Sequence, residues 1–300
     1  MNENLLSRQN TLRGIAFFLG FTLVIPFVDA GAKFLILDGY HPSFVTWGRF
    51  FFSAVIIFPI FLQQHAKQKT SKKNKLIQII RALFIVFATF LFFSSLKTTP
   101  LANAIGILFT YPILITLLAP IFLGEIPGKR RWFAVLTGFM GALLIIQPLG
   151  INFQVGYIFA IGSSLSFASY SLITRKLSQE TEPITILGYQ VFIGSAVMSI
   201  FLPYSWQTPD IFAIALLFGI GLISLLAHFL LIIAYKSAPA PILAPYGYFE
   251  IFMGFVLGFF LFKEVPDYLT WLGIFVVIAS GIYTSIRENS LAKYESNEQL

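Results

Sequence analysis

Long apolar runs separated by short polar segments extend through the chain from end to end. A transmembrane helix needs about 20 mostly apolar residues. Ten segments approach that length: 13–37, 42–62, 76–96, 99–123, 132–148, 155–177, 184–203, 211–235, 240–262 and 268–286. Short connections containing Pro, Gly or charge separate them, with no soluble domain between. The pattern predicts an all-α integral membrane protein with ten transmembrane helices.

Composition supports a bilayer as the main solvent of this chain. Of its 300 residues, 57% are hydrophobic and 11% are charged, whereas soluble proteins have about 25% charged residues. The net charge of +7 lies in loops beside apolar helices, which argues for a lipid partner and against nucleic acid. With no cysteine and three scattered histidines, we expect no metal site and no cofactor. The absence of a phosphate-binding loop argues against direct ATP drive.

Lysine and arginine are distributed unequally between alternate connections. Cytoplasmic loops are enriched in both residues. If the N-terminus is cytoplasmic, the opposite side carries only Lys97 and Lys263. Lys33 and Arg49 then lie within spans, and the remaining sixteen of the twenty basic residues are assigned to the cytoplasmic side. The bias therefore predicts that both termini are cytoplasmic.

The second half of the sequence repeats the first. At an offset of 139 residues the aligned pairs are Lys97–Lys236, Pro100–Pro239, Glu125–Glu264, Pro127–Pro266 and Trp132–Trp271. Because five spans per repeat is an odd number, the second copy must have the opposite orientation. Inverted repeats are typical of secondary transporters, whose substrate site lies between them near the midplane. We predict repeats at 12–148 and 150–287, with cytoplasmic tails at 1–11 and 288–300.

Several motifs resemble the drug/metabolite transporter superfamily with its paired EamA-type domains. These motifs are Pro-Leu-Ala-Asn-Ala at 100–104, Phe-Leu-Gly-Glu at 122–125 and Phe-Lys-Glu at 262–264. Asp29-Ala-Gly-Ala-Lys33, followed by Pro42 and Arg49-Phe-Phe-Phe-Ser53, is similar to the branch of S-adenosylmethionine uptake carriers of intracellular bacteria. The resemblance covers nearly the whole chain and implies two inverted five-helix (5+5) EamA-like repeats in a bacterial inner (plasma) membrane. Lys263 departs from it, because the motif would place glycine there.

Charged residues within spans are the first candidates for substrate binding or coupling. A charge at the bilayer centre costs about 2.5–3.5 kcal/mol, so it should face a cavity or the bundle interior. Asp29 and Lys33 are four residues apart on one helix face and can form an ion pair, either as internal packing or with a substrate or gating role. Arg49 can grip a carboxylate or phosphate, neutralise an acidic residue, or extend to the membrane surface. His228 can be a packed side chain or a proton relay.

Glu250 is the strongest candidate because its helix contains helix-breaking residues. Pro245 and Gly247 precede it, and Pro245 aligns with Gly106 of the first repeat. Interruptions at matched positions point to a transporter site, because unwound backbone needs a cavity. The simpler alternative is that the prolines only kink helices for packing. Tyr111 aligns with Glu250.

Uncharged polar and small residues add further candidates. Tyr246 can offer a hydroxyl or a ring face, and aromatic rings near Glu250 can hold an organic cation. Asn103 is either a binding residue or an interhelical hydrogen-bond donor. Gly254-x-x-x-Gly258 and Gly138-x-x-Gly141 permit close helix contacts, within the protomer or in a homodimer.

These features together predict a secondary-active transporter of a small polar metabolite that works by alternating access and is not an enzyme. The branch resemblance makes S-adenosylmethionine one candidate substrate beside amino acids and organic acids, with a proton or an exchanged solute as the coupling partner. One alternative is an intramembrane enzyme acting on lipid, although the chain has no His-Glu-x-x-His or Gly-x-Ser-x-Gly motif. Another alternative is a membrane scaffold or sensor that transports nothing.

Overall fold

The structure, a computed structural model, describes residues 2–65, 72–111, 113–115, 117–118, 129–147, 154–238, 243–280 and 282–283. Regular structure in these residues is helical. The helices are α1 Asn2–Leu37, α2 Pro42–His65, α3 Lys72–Ser95, α4 Leu101–Leu108, α5 Lys129–Ile146, α6 Gly156–Ser178, α7 Pro183–Ser205, α8 Ile211–Ser237, α9 Tyr248–Phe262 and α10 Tyr268–Ser280. A 3₁₀ turn, Ala244–Gly247, precedes α9. The predicted tail 288–300 and the motif at 122–125 lie outside the described residues.

Helix length separates two groups of apolar helices. Six described helices are long and apolar enough to cross a membrane, namely α1, α2, α3, α6, α7 and α8. The helices around α4, α5, α9 and α10 are apolar but shorter. An all-helical protein with several spans is therefore confirmed, while the count of ten spans stays a prediction. Helix α1 also extends back to Asn2, through most of the segment that we predicted as a tail.

Apolar and charged side chains are arranged in the opposite way to those of a soluble protein. Large apolar residues such as Ile200, Phe133 and Phe260 are about two-thirds exposed. Charged side chains, among them Lys33 and Arg81, are buried between helices. An apolar exterior with charged side chains buried between the helices is stable only where lipid surrounds the protein.

Helices of the first half pack mainly against helices of the second half. The main contacts are α1–α8, α3–α6, α2–α7, α2–α8, α3–α7, α1–α9, α4–α9 and α4–α6. If helices α1 to α5 are exchanged in order with helices α6 to α10, every contact in this set becomes a contact of the same set. For example, α1–α8 becomes α6–α3, and α2–α8 becomes α7–α3. Two halves related by a two-fold axis would produce this pattern.

A close approach between α2 and α8 positions the polar residues of the core. A Cβ atom on Gly221 would lie 2.7 Å from Phe52 Cβ, so glycine allows the two backbones to meet. The Ser53 hydroxyl donates a hydrogen bond to the Gly221 carbonyl at 2.7 Å. Ser224 and His228 follow Gly221 at three and seven residues, and such residues lie on one helix face. That face therefore points towards α2.

The small-residue motifs pack within the protomer. A Cβ atom on Gly254 would lie 2.4 Å from Ile105 Cδ1, and one on Gly141 would lie 3.0 Å from the Gly273 carbonyl oxygen. These glycines therefore bring α9 against α4 and α5 against α10. The structure assigns them intramolecular contacts, and the homodimer stays a prediction.

Candidate functional site

A charged cavity lies at the centre of the bundle, with side chains from α1, α2, α3, α4, α6, α8 and α9. Its charged and titratable lining residues are Asp29, Arg49, His228 and Glu250. The other lining residues are Phe21, Ile25, Ile85, Ala88, Thr89, Phe92, Leu108, Ser163 and Phe167. Its volume is about 50 Å³, which is room for a few water molecules. Pockets that enclose small ligands usually measure about 300–1,000 Å³, so the cavity in this conformation is too small to enclose such a ligand.

Arg49 is held in the cavity wall by three hydrogen bonds. Its Nε donates to Ser224 Oγ at 2.7 Å, and one Nη donates to Thr89 Oγ1 at 3.1 Å. The other Nη lies 2.6 Å from His228 Nε2. The side chain is buried, so it does not extend to the membrane surface as one of our alternatives supposed. Its orientation is set by α3 and α8.

His228 links the cavity to a second polar cluster. Because a guanidinium can only donate, Nε2 of His228 must accept the bond from Arg49. The other ring nitrogen, Nδ1, lies 3.5 Å from the hydroxyl of Tyr170, which donates to Gln190 Oε1 at 2.9 Å. His228 therefore joins Arg49 to polar groups on α6 and α7.

Asp29 and Glu250 are the two acidic residues of the cavity. Both side chains are buried. Within the described residues, neither carboxylate has a hydrogen bond or an ion pair. Asp29 interacts electrostatically with both Arg49 and Glu250. Two carboxylates without polar partners therefore line the same cavity as one arginine whose hydrogen bonds are largely made.

A second buried arginine was missed by the sequence analysis. We counted Arg81 with the cytoplasmic charges, but its side chain is fully buried in α3. It donates to Gln78 Oε1 at 3.2 Å, to Gln190 Oε1 at 3.2 Å and to the Ile186 carbonyl. The available signal was its place inside the predicted span 76–96. The Gln190 side-chain oxygen accepts hydrogen bonds from both Arg81 and Tyr170.

The ion pair allowed by the spacing of Asp29 and Lys33 is not the one that the structure forms. Lys33 Nζ pairs with Glu264 Oε1 and donates to the Thr99 carbonyl at 3.0 Å. Glu264 Oε2 accepts a hydrogen bond from the Leu101 backbone N–H at 2.8 Å. The four-residue spacing permitted the Asp29 pair, but the packing of α1 against α9 gives Lys33 a different carboxylate. Glu125, which aligns with Glu264, lies outside the described residues.

The predicted helix breaks differ between the two halves. Pro245 and Gly247 lie in the 3₁₀ turn that directly precedes α9, so Glu250 occupies the first turn of that helix. Gly106 lies within α4, which ends at Leu108 and is followed by a turn at 109–110. Gly106 instead packs against Ile274 and Ile145.

The remaining candidates are not among the residues that line the cavity. The Asn103 side-chain amide donates to Thr270 Oγ1 at 3.2 Å, an interhelical hydrogen bond. Tyr111 is buried against Phe167 with ring centroids 5.0 Å apart, and Tyr246 is half-buried against the apolar core. By contrast, Thr89 and Ser163 line the cavity. Ser and Thr are frequent in membrane helices, so sequence alone carried no signal for these two.

Metal coordination has no support in the described part of the chain. No group of three His, Asp or Glu side chains there could hold an ion.

An apolar exterior and a charged central cavity between two packed halves define a polytopic membrane protein, and the names of two relatives agree with this class. An S-adenosylmethionine uptake transporter of Rickettsia felis is 28% identical over 298 residues, covering 99% of this chain and 100% of that protein. A riboflavin transporter of Vibrio cholerae is 25% identical over 293 residues, covering 97% and 98%. A solved crystal structure superposes with a TM-score of 0.64 at 16% identity, covering 95% of this chain and 99% of the other, and shows the fold alone.

The EamA-like transporter family matches the chain twice, at residues 12–147 and 154–286. The chain belongs to this family. It is therefore a multi-pass membrane transporter with a repeated EamA domain, and the family assignment decides against the intramembrane enzyme that we kept as an alternative.

Proposed function

We propose that this protein is a secondary-active transporter that carries a small polar metabolite by alternating access. The central observation is the cavity that contains Asp29, Glu250 and Arg49, contributed by both halves of the chain. Intramembrane charges are costly and are usually retained for substrate or ion binding. Glu250 also lies in the first turn of α9, directly after the 3₁₀ turn, and transporter folds often place their binding groups at such interruptions.

The helix pairing supports alternating access. In this proposal the repeats, 12–148 and 150–287, have five helices each and are inverted. The contact pattern maps onto itself when the halves are exchanged. An inverted pair of repeats can adopt two equivalent arrangements around a fixed site, each opening to one side. The volume of about 50 Å³ corresponds to a conformation in which that site is compressed.

The charges of the cavity favour substrates that carry a cationic group. Arg49 already donates three hydrogen bonds, whereas both carboxylates lack polar partners among the described residues. The rings of Phe21, Phe92 and Phe167 add faces suited to a cation. S-adenosylmethionine and amino acids have such groups, and simple organic acids do not. The name of the Rickettsia felis relative supports the same candidate.

Energy comes from a proton gradient or from exchange for another solute, because the sequence has no phosphate-binding loop. Asp29 and Glu250 are the proposed proton carriers. Uptake driven by an imposed pH gradient would indicate proton coupling, whereas transport only with solute on both sides would indicate exchange. The proposed membrane is the bacterial inner membrane, with both termini cytoplasmic.

Counterflow in proteoliposomes tests the proposal. Purified protein is first screened by thermal shift against S-adenosylmethionine, amino acids, organic acids and riboflavin, and each stabilising compound then enters counterflow. We expect uptake of at least one, and its loss in Glu250→Gln. Glu182→Gln is the matched control, because Glu182 is exposed and pairs with Lys236 far from the cavity. Normal uptake in Glu250→Gln would remove Glu250 from the mechanism. Absence of uptake for every compound would contradict the proposed substrate classes.

A further inference from the structure

The Lys33 ammonium joins three separate segments at one end of the bundle. It lies on α1, pairs with Glu264 just after α9, and donates to the Thr99 carbonyl between α3 and α4. Glu264 also accepts from the first backbone N–H of α4, at Leu101. The Lys33 side chain is only 2% exposed and that of Glu264 is 21% exposed. One ion pair therefore ties together both halves of the chain, largely out of contact with solvent.

Other contacts close the same end of the bundle. The Gly156 backbone N–H donates to Thr98 Oγ1 at 3.2 Å. The Gln147 amide donates to Asp267 Oδ2 at 2.8 Å. Each of these contacts also crosses between the first and second halves. Among these contacts, the one between Lys33 and Glu264 is an ion pair.

The opposite end has an ion pair of a different kind. Lys236 and Glu182 are 3.4 Å apart, and their side chains are 43% and 55% exposed. Exposed pairs contribute little to stability. A buried pair that is also satisfied by backbone groups is costly to break, because either partner alone is left as an uncompensated charge.

The helices that carry this pair also carry the acidic residues of the cavity. On α1, Asp29 lines the cavity and Lys33 lies one turn further along. At the start of α9, Glu250 lines the cavity, and Glu264 follows the end of that helix. Cargo bound between Asp29 and Glu250 therefore acts on the two helices that the ion pair holds together. Movement of either helix away from the other must separate Lys33 from Glu264.

We propose that Lys33 and Glu264 are the gating pair that closes this end of the transporter and opens once in each transport cycle. The proposal rests on the alternating-access function above. In this proposal Lys33 acts in gating and not in substrate binding, and Glu264 acts in gating as well as in packing. With cytoplasmic termini, the gate faces the outside.

Thiol labelling tests the gate directly, because the natural chain has no cysteine. A single Ala88→Cys substitution places one thiol in the cavity wall, and Ser163→Cys supplies a second position. A membrane-impermeant maleimide is added to right-side-out and to inverted membrane vesicles. Labelling rates are compared in the native background, in Lys33→Met and in Glu264→Gln. Glu264→Gln retains an oxygen for the Leu101 N–H, so it covers the case in which Lys33→Met fails to fold. Lys236→Met at the opposite end is the control.

We expect both gate variants to increase labelling about tenfold, the factor that corresponds to loss of one charge-assisted hydrogen bond. The increase should occur in one vesicle orientation only and should be absent in Lys236→Met. Unchanged labelling in both gate variants, or an equal increase from both sides, overturns the gate even if the native protein transports. Conversely, a native protein that transports none of the candidate compounds overturns the proposed function, whatever the labelling shows.

Discussion

Arg49 and His228 are joined across the wall of the cavity by a hydrogen bond of 2.6 Å between a guanidinium nitrogen and Nε2 of the imidazole. The bond connects α2 with α8, and the same arginine reaches Ser224 and Thr89. A planar group with donors in several fixed directions is needed to satisfy three acceptors on two other helices.

Arg49→Lys should therefore impair both stability and transport although the charge is kept. A lysine ammonium cannot reproduce the fork of the guanidinium, and each lost hydrogen bond to a charged group costs about 1.5–3 kcal/mol. We expect a lower melting temperature in detergent. We also expect counterflow to be at least about tenfold slower, because the loss of one such hydrogen bond corresponds to a factor of about ten. Arg175→Lys, at a half-exposed position, is the control. Native behaviour of Arg49→Lys would show that charge alone is required.

Gly221→Ala should separate α2 from α8. The added Cβ would lie 2.7 Å from Phe52 Cβ and 3.0 Å from the Ser53 backbone nitrogen, so the helices must shift. Overpacking of this kind costs about 1–3 kcal/mol. Thermal unfolding should show a lower melting temperature for Gly221→Ala. Gly219→Ala is the control and should not lower the melting temperature, because nothing lies within 4 Å of a Cβ atom at that position. Equal melting temperatures would argue that α2 and α8 do not pack so closely.

Lys263→Gly should stabilise the protein. Lys263 ends α9 with φ 58° in the left-handed region, which costs a residue with a Cβ about 1–2 kcal/mol. Glycine removes most of that cost, although it adds freedom to the unfolded chain. We expect a gain of about 1 kcal/mol in thermal unfolding. Lys263→Ala keeps the Cβ but removes the charge, so a similar gain there would contradict the backbone explanation.

Asp267→Ala should destabilise the start of α10 in a pH-dependent way. Asp267 lies in the loop before α10 and accepts from the Thr270 N–H at 2.7 Å and the Gln147 amide at 2.8 Å. Partial burial raises the pKa of its carboxyl, but these hydrogen bonds outweigh that effect, so the net pKa lies below its ordinary value of 3.8. Loss of such a helix cap costs about 1 kcal/mol.

The sign of the pH effect follows from the lowered pKa. The contribution of Asp267 to the free energy of unfolding is fully present above the unfolded-state pKa of about 3.9. It is lost as the pH falls through the lower folded-state pKa. Unfolding at several pH values should show a gap between the native protein and Asp267→Ala that narrows in acid. Asp38→Ala, an exposed change at the same end of the bundle, is the control. A constant gap would assign the effect to the side chain's packing rather than to its charge.

The candidate site could be predicted from sequence only in part. Asp29, Arg49, His228 and Glu250 were identified because charge inside an apolar span is rare, and all four line one cavity. Asn103 and Tyr111 followed from polarity and repeat alignment, and neither lines it. Polarity shows that a side chain needs a partner or a cavity, but it does not show which helix supplies that partner.

The membrane environment, the helical class and the duplicated EamA domain follow from hydropathy, helix period and repeats, which are local properties of the chain. The pairing of Lys33 with Glu264, the burial of Arg81 and the position of Gly106 inside α4 follow from the packing of the helices. Those outcomes depend on how each helix is rotated and how deeply it packs against its neighbours. A spacing of four residues permits Asp29 to pair with Lys33, but the closer carboxylate, 231 positions away in sequence, is placed there by the packing of α9 against α1.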